Sequence, residues 1–288
     1  MLAYRHAFHA GNHADVLKHF VLVQVLRYMA QKDKAFTLVD THAGAGGYSL
    51  EGRHARKKAE FESGIARLWS RSDLPAPLAD YVDLVRRFNG GTPDATPRLA
   101  QYPGSPGFAQ MLLRPQDRLR LYELHPTDHR ILAAYLGRHP NTQVAQADGL
   151  AALKGELPPP SRRGVVLIDP SYELRSDYAK VAAAVREALT RFAEGTLVVW
   201  YPQLTTIESA QLPQRVQAAA DTLAKRGWLH ARLTVCKPDR DGFGLIGSGV
   251  VVVNPPHVLH ATLHATLQFL VDTLGQVDGA HFLLEKSG

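Results

Sequence analysis

Val165-Val166-Leu167-Ile168-Asp169-Pro170-Ser171-Tyr172-Glu173 is an aliphatic, β-branched run that stops at an acid, a proline, a small polar residue and an aromatic. Four consecutive apolar residues without alternation predict a strand buried on both faces, as in a parallel sheet covered by helices. In such sheets ligands sit just outside the carboxyl ends of the strands, so the Asp169 loop is expected to face a substrate. Its residue types suit an amino group on an aromatic base. A carboxylate at Asp169 and the carbonyl of Pro170 can accept the two N–H groups, while the Tyr172 ring stacks on the flat base. That chemistry fits adenine or cytosine. The plain alternative is a buried strand that merely ends in an Asp-Pro turn.

Working outward, the same strand-and-helix alternation repeats. Upstream lie Phe36-Thr37-Leu38-Val39-Asp40 as a first strand and Thr41-His42-Ala43-Gly44-Ala45-Gly46-Gly47 as a glycine-rich turn, then strands over 118–123 and 142–145. Downstream come a helix over 178–192, a strand over 196–201 and a helix over 212–226. Two strands, 231–237 and 249–254, flank a turn-rich loop and are expected to form an antiparallel hairpin at the sheet edge, before a helix over 257–274. The expected fold is α/β, Rossmann-like, with a mixed seven-stranded sheet. An N-terminal helix is expected from Asn12, its cap, to about Gln31. Val16, Phe20, Val23 and Leu26 form its apolar stripe, which leaves Asp15, Lys18 and His19 to face a neighbouring site. Charged amphipathic stretches between Gly52 and Tyr102 interrupt the alternation, so the chain divides into 1–51, a helical insertion over 52–102, and 103–288. Tyr102-Pro103-Gly104-Ser105-Pro106 is expected to be a rigid re-entry turn.

The chain's 288 residues, 45% hydrophobic, are enough to bury a large core. Lys and Arg total 33 against 27 Asp and Glu, and the net charge of +6 favours a polyanionic partner. Cys236 is the lone cysteine, which excludes a disulfide framework and a thiolate metal cluster. No signal-peptide pattern opens the chain and no apolar run reaches the roughly 20 residues of a membrane helix, so a cytoplasmic protein is expected. His6, His9, His13 and His19 do not follow a metal-ligand spacing, and no metal is expected. The basic run Arg53-His54-Ala55-Arg56-Lys57-Lys58 is either a solvated face or a phosphate track.

Four strand ends carry acids or glycines: Asp40 with Gly44 and Gly46, Glu123, Asp148, and Asp169. A nucleoside-containing cofactor accounts for the set. The glycine turn passes its amino-acid end, an acid after the second strand takes the ribose hydroxyls, and an acid after the third holds the adenine amine. A nicotinamide enzyme is the rival reading, but no third glycine follows at the dinucleotide offset and the expected acid lies far downstream, at Glu123.

The Asp169-Pro170-Ser171-Tyr172 loop resembles the Asp/Asn-Pro-Pro-aromatic motif of amino-group methyltransferases that use S-adenosylmethionine, with Ser171 in place of the second proline. Together with Tyr4 to His19 and Asp40 to Gly46, it resembles the RlmJ family, 23S rRNA methyltransferases that modify the N6 amine of one adenine. The resemblance spans nearly the whole chain. It implies S-adenosyl-L-methionine as cofactor, bound by His19, His42, Ser105, Glu123, Asp148 and Gly149 along with the glycine turn at Gly44. It further implies Asp169 as catalytic acceptor and a contact to 23S rRNA from Tyr4; Pro170 and Tyr172 are expected beside Asp169, His6 and Lys18 are expected to join Tyr4 on the RNA, and a monomer is expected. Methylation of DNA adenine or of a protein glutamine through the same loop type, or RNA binding without catalysis, are the other classes open to this fold.

Overall fold

The computed structural model describes residues 6–52, 59–92, 96–238 and 244–288. Its strands are β1 (Thr37–Asp40), β2 (Gly47–Ser49), β3 (Gln101–Pro103), β4 (Arg118–Tyr122), β5 (Thr142–Ala145), β6 (Gly164–Ile168), β7 (Thr196–Gln203), β8 (Trp228–Thr234), β9 (Gly247–Val253) and β10 (His281–Lys286). Its helices are α1 (His13–Ala30), the short α2 (Ala66–Trp69), α3 (Ala76–Phe88), α4 (Ser105–Leu112), α5 (Pro126–Leu136), α6 (Gly149–Glu156), α7 (Arg175–Arg191), α8 (Ile207–Leu223) and α9 (Leu259–Leu274).

The main sheet has eight strands in the order β10-β8-β9-β7-β6-β1-β4-β5, and β2 pairs β3 in a small second sheet. From β7 through β6, β1 and β4 to β5 every pairing is parallel. β9 runs antiparallel between β7 and β8, and β10 pairs antiparallel with β8. The α/β reading holds, with two corrections. The sheet has eight strands where seven were expected, and the β8–β9 hairpin lies inside it, with β10 forming the edge. A six-residue terminal strand paired on one side and only half buried leaves little period-two signal. The re-entry turn is the end of β3 followed by the first turn of α4, and α8 begins at Ile207 and runs through Pro213.

Side chains of the central strands alternate between two cores. Leu38, Val165, Leu167 and Val198 belong to one buried cluster, whereas Val39, Val166, Ile168, Leu197 and Val199 belong to the other. Helices cover both faces, so each strand is apolar throughout, and this is why the run at 165–168 does not alternate. α1 packs on the first face, with Phe20, Val21 and Leu22 fully buried. Ile65, Leu68, Leu78, Tyr81 and Val85, from the stretch read as an insertion, join that same cluster. α7 and α8 cover the second face. Parallel register then sets the site: Asp40 lies beside Leu167 and Leu121, so the residues just past β1, β4, β5 and β6 all emerge along one edge.

Candidate active site

A cavity of about 510 Å³ opens at that edge, with Glu123, Asp148, Asp169, Gly44, Lys18 and His19 among its walls. Its volume suits a cofactor-sized ligand. At the β4 tip, Glu123 accepts the Gly44 amide at 2.8 Å and the His125 amide at 2.6 Å, while burial pushes its carboxyl above the usual range. Gly44 has φ +59°, and a Cβ there would lie 2.2 Å from the Tyr48 hydroxyl, so this turn needs glycine. At the β5 tip one oxygen of Asp148 caps α6 through the Leu150 and Ala151 amides. Gly149 presses on the loop after β1, where a Cβ would come 2.1 Å from the Thr41 carbonyl oxygen.

At the β1 tip, Asp40 accepts the Ser105 hydroxyl at 2.6 Å and the His42 amide at 3.2 Å. Burial pushes this carboxyl up to about 7. The Thr41 hydroxyl donates to the Leu167 carbonyl at 2.9 Å, so its 2.8 Å contact with His42 Nδ1 is donated by the ring. Burial lowers His42 to about 4, and the neutral ring turns an acceptor nitrogen, Nε2, outward.

Across from the nucleoside wall, Asp169 follows β6 and Lys18 meets it from α1, Nζ to Oδ2 at 2.5 Å. Lys18 is also 2.8 Å from Asp15 Oδ1, and the other Asp15 oxygen takes His6 Nε2 and the Gly11 amide, each at 2.9 Å. Burial works against the Lys18 charge, and the two carboxylates more than offset it, holding the ammonium above its ordinary range. Burial likewise opposes ionisation of Asp15, but His6, Lys18 and His19 hold its carboxyl well below the usual range. Asp169 goes the other way, raised by burial against the pull of Lys18. Its Oδ2 is committed to Lys18, and its Oδ1 has no protein partner among the described residues. Tyr172 sits in the left-handed region at φ +52°, its hydroxyl donating to the Trp200 carbonyl at 2.7 Å and its ring 4.5 Å from that of Tyr178. That tether and packing give the loop the rigidity that a second proline would have supplied at Ser171.

The chain matches the family described as "Ribosomal RNA large subunit methyltransferase D, RlmJ" over residues 33–284. It is 42% identical to Ribosomal RNA large subunit methyltransferase J of Escherichia coli (strain K12), an alignment covering 98% of this chain and 97% of that one. It is 43% identical to the protein of the same name from Haemophilus influenzae, with 95% and 94% covered. The chain belongs to the RlmJ family. A crystal structure of a Legionella pneumophila protein, 31% identical, superposes with a TM-score of 0.85 over 96% of this chain and 98% of that one.

For a member of the RlmJ family expected to use His19, His42, Gly44, Ser105, Glu123, Asp148, Gly149, Asp169, Pro170 and Tyr172, the structure brings all ten to one cavity wall. His6 and Lys18 line it too, although Lys18 is enclosed by carboxylates and Ser105 spends its hydroxyl on Asp40. Tyr4 and the basic run 53–58 lie outside the described residues. His9 and Asn12 both bind Glu60, at 2.8 and 3.0 Å, which ties the start of the chain to the stretch after the basic run. Sequence reasoning missed the hub role of Asp15, the Trp200 ring 5.5 Å from Lys18 Nζ, and the hydroxyl of Tyr102 on His19. Trp200, near the end of β7, carried the one usable signal: an aromatic next to a strand tip.

Proposed function

We propose that this RlmJ-family methyltransferase acts on large-subunit ribosomal RNA, moving a methyl group from S-adenosyl-L-methionine to the N6 amine of an adenine. The supporting observation is the Asp169 carboxylate, fixed through one oxygen by buried Lys18 and open to the cavity through the other. When bound, the cofactor supplies an electrophilic methyl on a sulfonium. The residues present fit it: two acids stand at the β4 and β5 tips for the ribose and adenine, and a glycine turn at β1 admits the chain that follows.

The remaining chemistry falls to the protein. Asp169 Oδ1 and the Pro170 carbonyl accept the two N6 protons, which favours a pyramidal nitrogen with its lone pair aimed away from the base. Asp169 takes the proton released after transfer. The adenine must leave its stack to reach this loop, and the Tyr172 ring, held by Trp200 and Tyr178, is the rigid surface it meets. His6 lines the same cavity and meets the RNA there, Lys18 acts on the RNA through the Asp169 carboxylate it holds, and an RNA contact from Tyr4 rests on the family resemblance alone. The single chain works as a monomer, with 1–51 and 103–288 as the catalytic unit and 52–102 beside them. Ribosome assembly places it in the cytoplasm; among the described residues no helix is long and apolar enough to cross a membrane. Incubation with labelled cofactor and unmodified 23S rRNA should give N6-methyladenine. Label recovered only in DNA or in glutamine of a competing protein overturns the substrate.

A further inference from the structure

His19 is buried on α1, and its Nδ1 lies 2.8 Å from the Tyr102 hydroxyl, which lies 2.8 Å from the Tyr81 hydroxyl. Tyr81 and Tyr102 are both 0% exposed. Two hydroxyl protons and one imidazole proton must be placed in this chain, and only one direction leaves no hydroxyl proton stranded. If His19 donated from Nδ1, Tyr102 would pass its proton to Tyr81. The Tyr81 proton would then have no acceptor among the described residues, at a cost of about 1–3 kcal/mol for a buried unsatisfied donor. In the opposite direction Tyr81 donates to Tyr102 and Tyr102 donates to Nδ1. The neutral ring, which lines the cavity, then carries its proton on Nε2, a nitrogen with no protein partner among the described residues. Burial, followed by the Lys18 charge, keeps His19 well below the ordinary imidazole range, so the neutral tautomer is the relevant one.

We propose that Tyr102, whose hydroxyl accepts from Tyr81 and donates to Nδ1, is a positioning residue that locks His19 as an Nε2–H donor for the carboxylate of the cofactor's amino-acid end. The inference rests on the cofactor reading above. Strand order supports the choice of that end. The nucleoside acids stand at the β4 and β5 tips, so the ligand's other end lies toward β1 and α1. There Lys18 is already held by Asp15 and Asp169, and Ser105 by Asp40, which leaves the His19 N–H as an uncommitted donor. Tyr102 ends the 52–102 stretch, so that stretch acts on the cofactor site through His19, and none of its described residues lines the cavity.

The test uses calorimetry on the full chain with S-adenosylhomocysteine and 5′-methylthioadenosine, which share adenosine and a thioether but differ in the amino-acid end. Tyr102→Phe should weaken S-adenosylhomocysteine about tenfold, the value of one charge-assisted hydrogen bond, and leave methylthioadenosine within about twofold. Tyr81→Phe, in which Tyr102 still donates to Nδ1, should change both by less than about threefold. Nitrogen-15 spectra should show His19 Nδ1 unprotonated in the native protein and in Tyr81→Phe. Equal loss of both ligands in Tyr102→Phe, no loss of either, or a protonated Nδ1 in the native protein overturns the proposal. If the native protein binds neither ligand, the cofactor reading fails first and this inference with it. Native binding of methylthioadenosine as tight as that of S-adenosylhomocysteine overturns the inference alone.

Discussion

Asp169→Asn is the sharpest probe of the site because it changes charge without changing shape. Among the described residues its carboxylate has one hydrogen-bond partner, Lys18 on Oδ2 at 2.5 Å, and an amide oxygen can still accept there. Removing one partner of a buried ion pair commonly costs about 3–5 kcal/mol. Here Lys18 keeps Asp15 at 2.8 Å, and burial already disfavours the Asp169 charge, so the expected loss of stability is nearer about 1–2 kcal/mol. The variant should therefore fold, and S-adenosylhomocysteine should bind within about threefold of the native protein, since Asp169 stands apart from the Glu123 and Asp148 wall. Turnover is another matter. An asparagine cannot take the N6 proton, and the orientation that keeps its oxygen on Lys18 turns its NH₂ toward the amine. A positioned proton acceptor is worth about 10²–10⁴ in rate, or about 3–5 kcal/mol. Single-turnover transfer of labelled methyl to unmodified 23S rRNA, with the variant's binding checked by calorimetry, measures this. A rate within about tenfold of native, with cofactor binding intact, would remove Asp169 from the chemistry.

Lys18→Met takes away the charge that pulls the Asp169 carboxyl down, so its ionisation moves to higher pH; the acid limb of the rate profile should shift alkaline, and an unmoved limb counts against the pairing. Gly149→Ala forces a Cβ onto the Thr41 carbonyl, 2.1 Å away; the first turn of α6 must retreat, and affinity for S-adenosylhomocysteine should fall about tenfold, while unchanged affinity refutes a tight role for that turn. Stability should fall on acidification. His13 and His230 are lowered by burial to about 4, so below 6.5 the unfolded chain binds protons that the folded chain refuses, and each residue gives up about 1 kcal/mol between pH 7 and 5.5. His19 acts in the same direction. Asp40, raised to about 7, acts in the opposite sense and gains stability as pH falls through 7, so it offsets part of the loss. Urea midpoints at the two pH values give the sum, and His230→Gln should flatten the slope; equal midpoints in the native protein would refute the balance.

What could be read from sequence follows the range of the interactions involved. The Asp169 loop, Glu123 and Asp148 were legible because strand periodicity locates strand ends, and parallel sheets gather those ends on one edge. The N-terminal helix was legible from its cap: Asn12 Oδ1 accepts the Ala14 and Asp15 amides at 3.0 Å each. Even the exposure of Asp15, Lys18 and His19 to a site came from helical spacing, although α1 proved buried on nearly every side. What those residues touch was not legible. Lys18 and Asp169 are 151 residues apart, and His19 and Tyr102 are 83 apart, so no local pattern links them. β10 escaped for a different reason, since an edge strand needs only one apolar face and a partner in register. α4 and α6, each of eight residues, are too short to show helical periodicity; the first residues of α4 read as part of a turn, and the stretch of α6 reads as no element.

The charges around Asp169 have a consequence for the direction of the chemistry. As a methyl group arrives at N6, that nitrogen becomes positive before it loses its proton. Lys18 is shared between the Asp15 and Asp169 carboxylates, so its one charge does not fully cancel that of Asp169 where positive charge develops. Lys18 is needed because two bare carboxylates at this depth would neutralise by taking up protons, and a protonated Asp169 offers the amine no charge. One cation between two anions is the arrangement that keeps Asp169 ionised without cancelling the field. Asp15 thus acts on the reaction without touching the base. Asp15→Asn should leave Lys18 and Asp169 as a neutral pair and slow transfer by about tenfold or more. Its effect on rate should persist at saturating RNA and cofactor, because it lowers kcat and leaves KM nearly unchanged. A variant that raises KM at constant kcat would show that Asp15 only docks the chain's opening residues through His6 and Gly11.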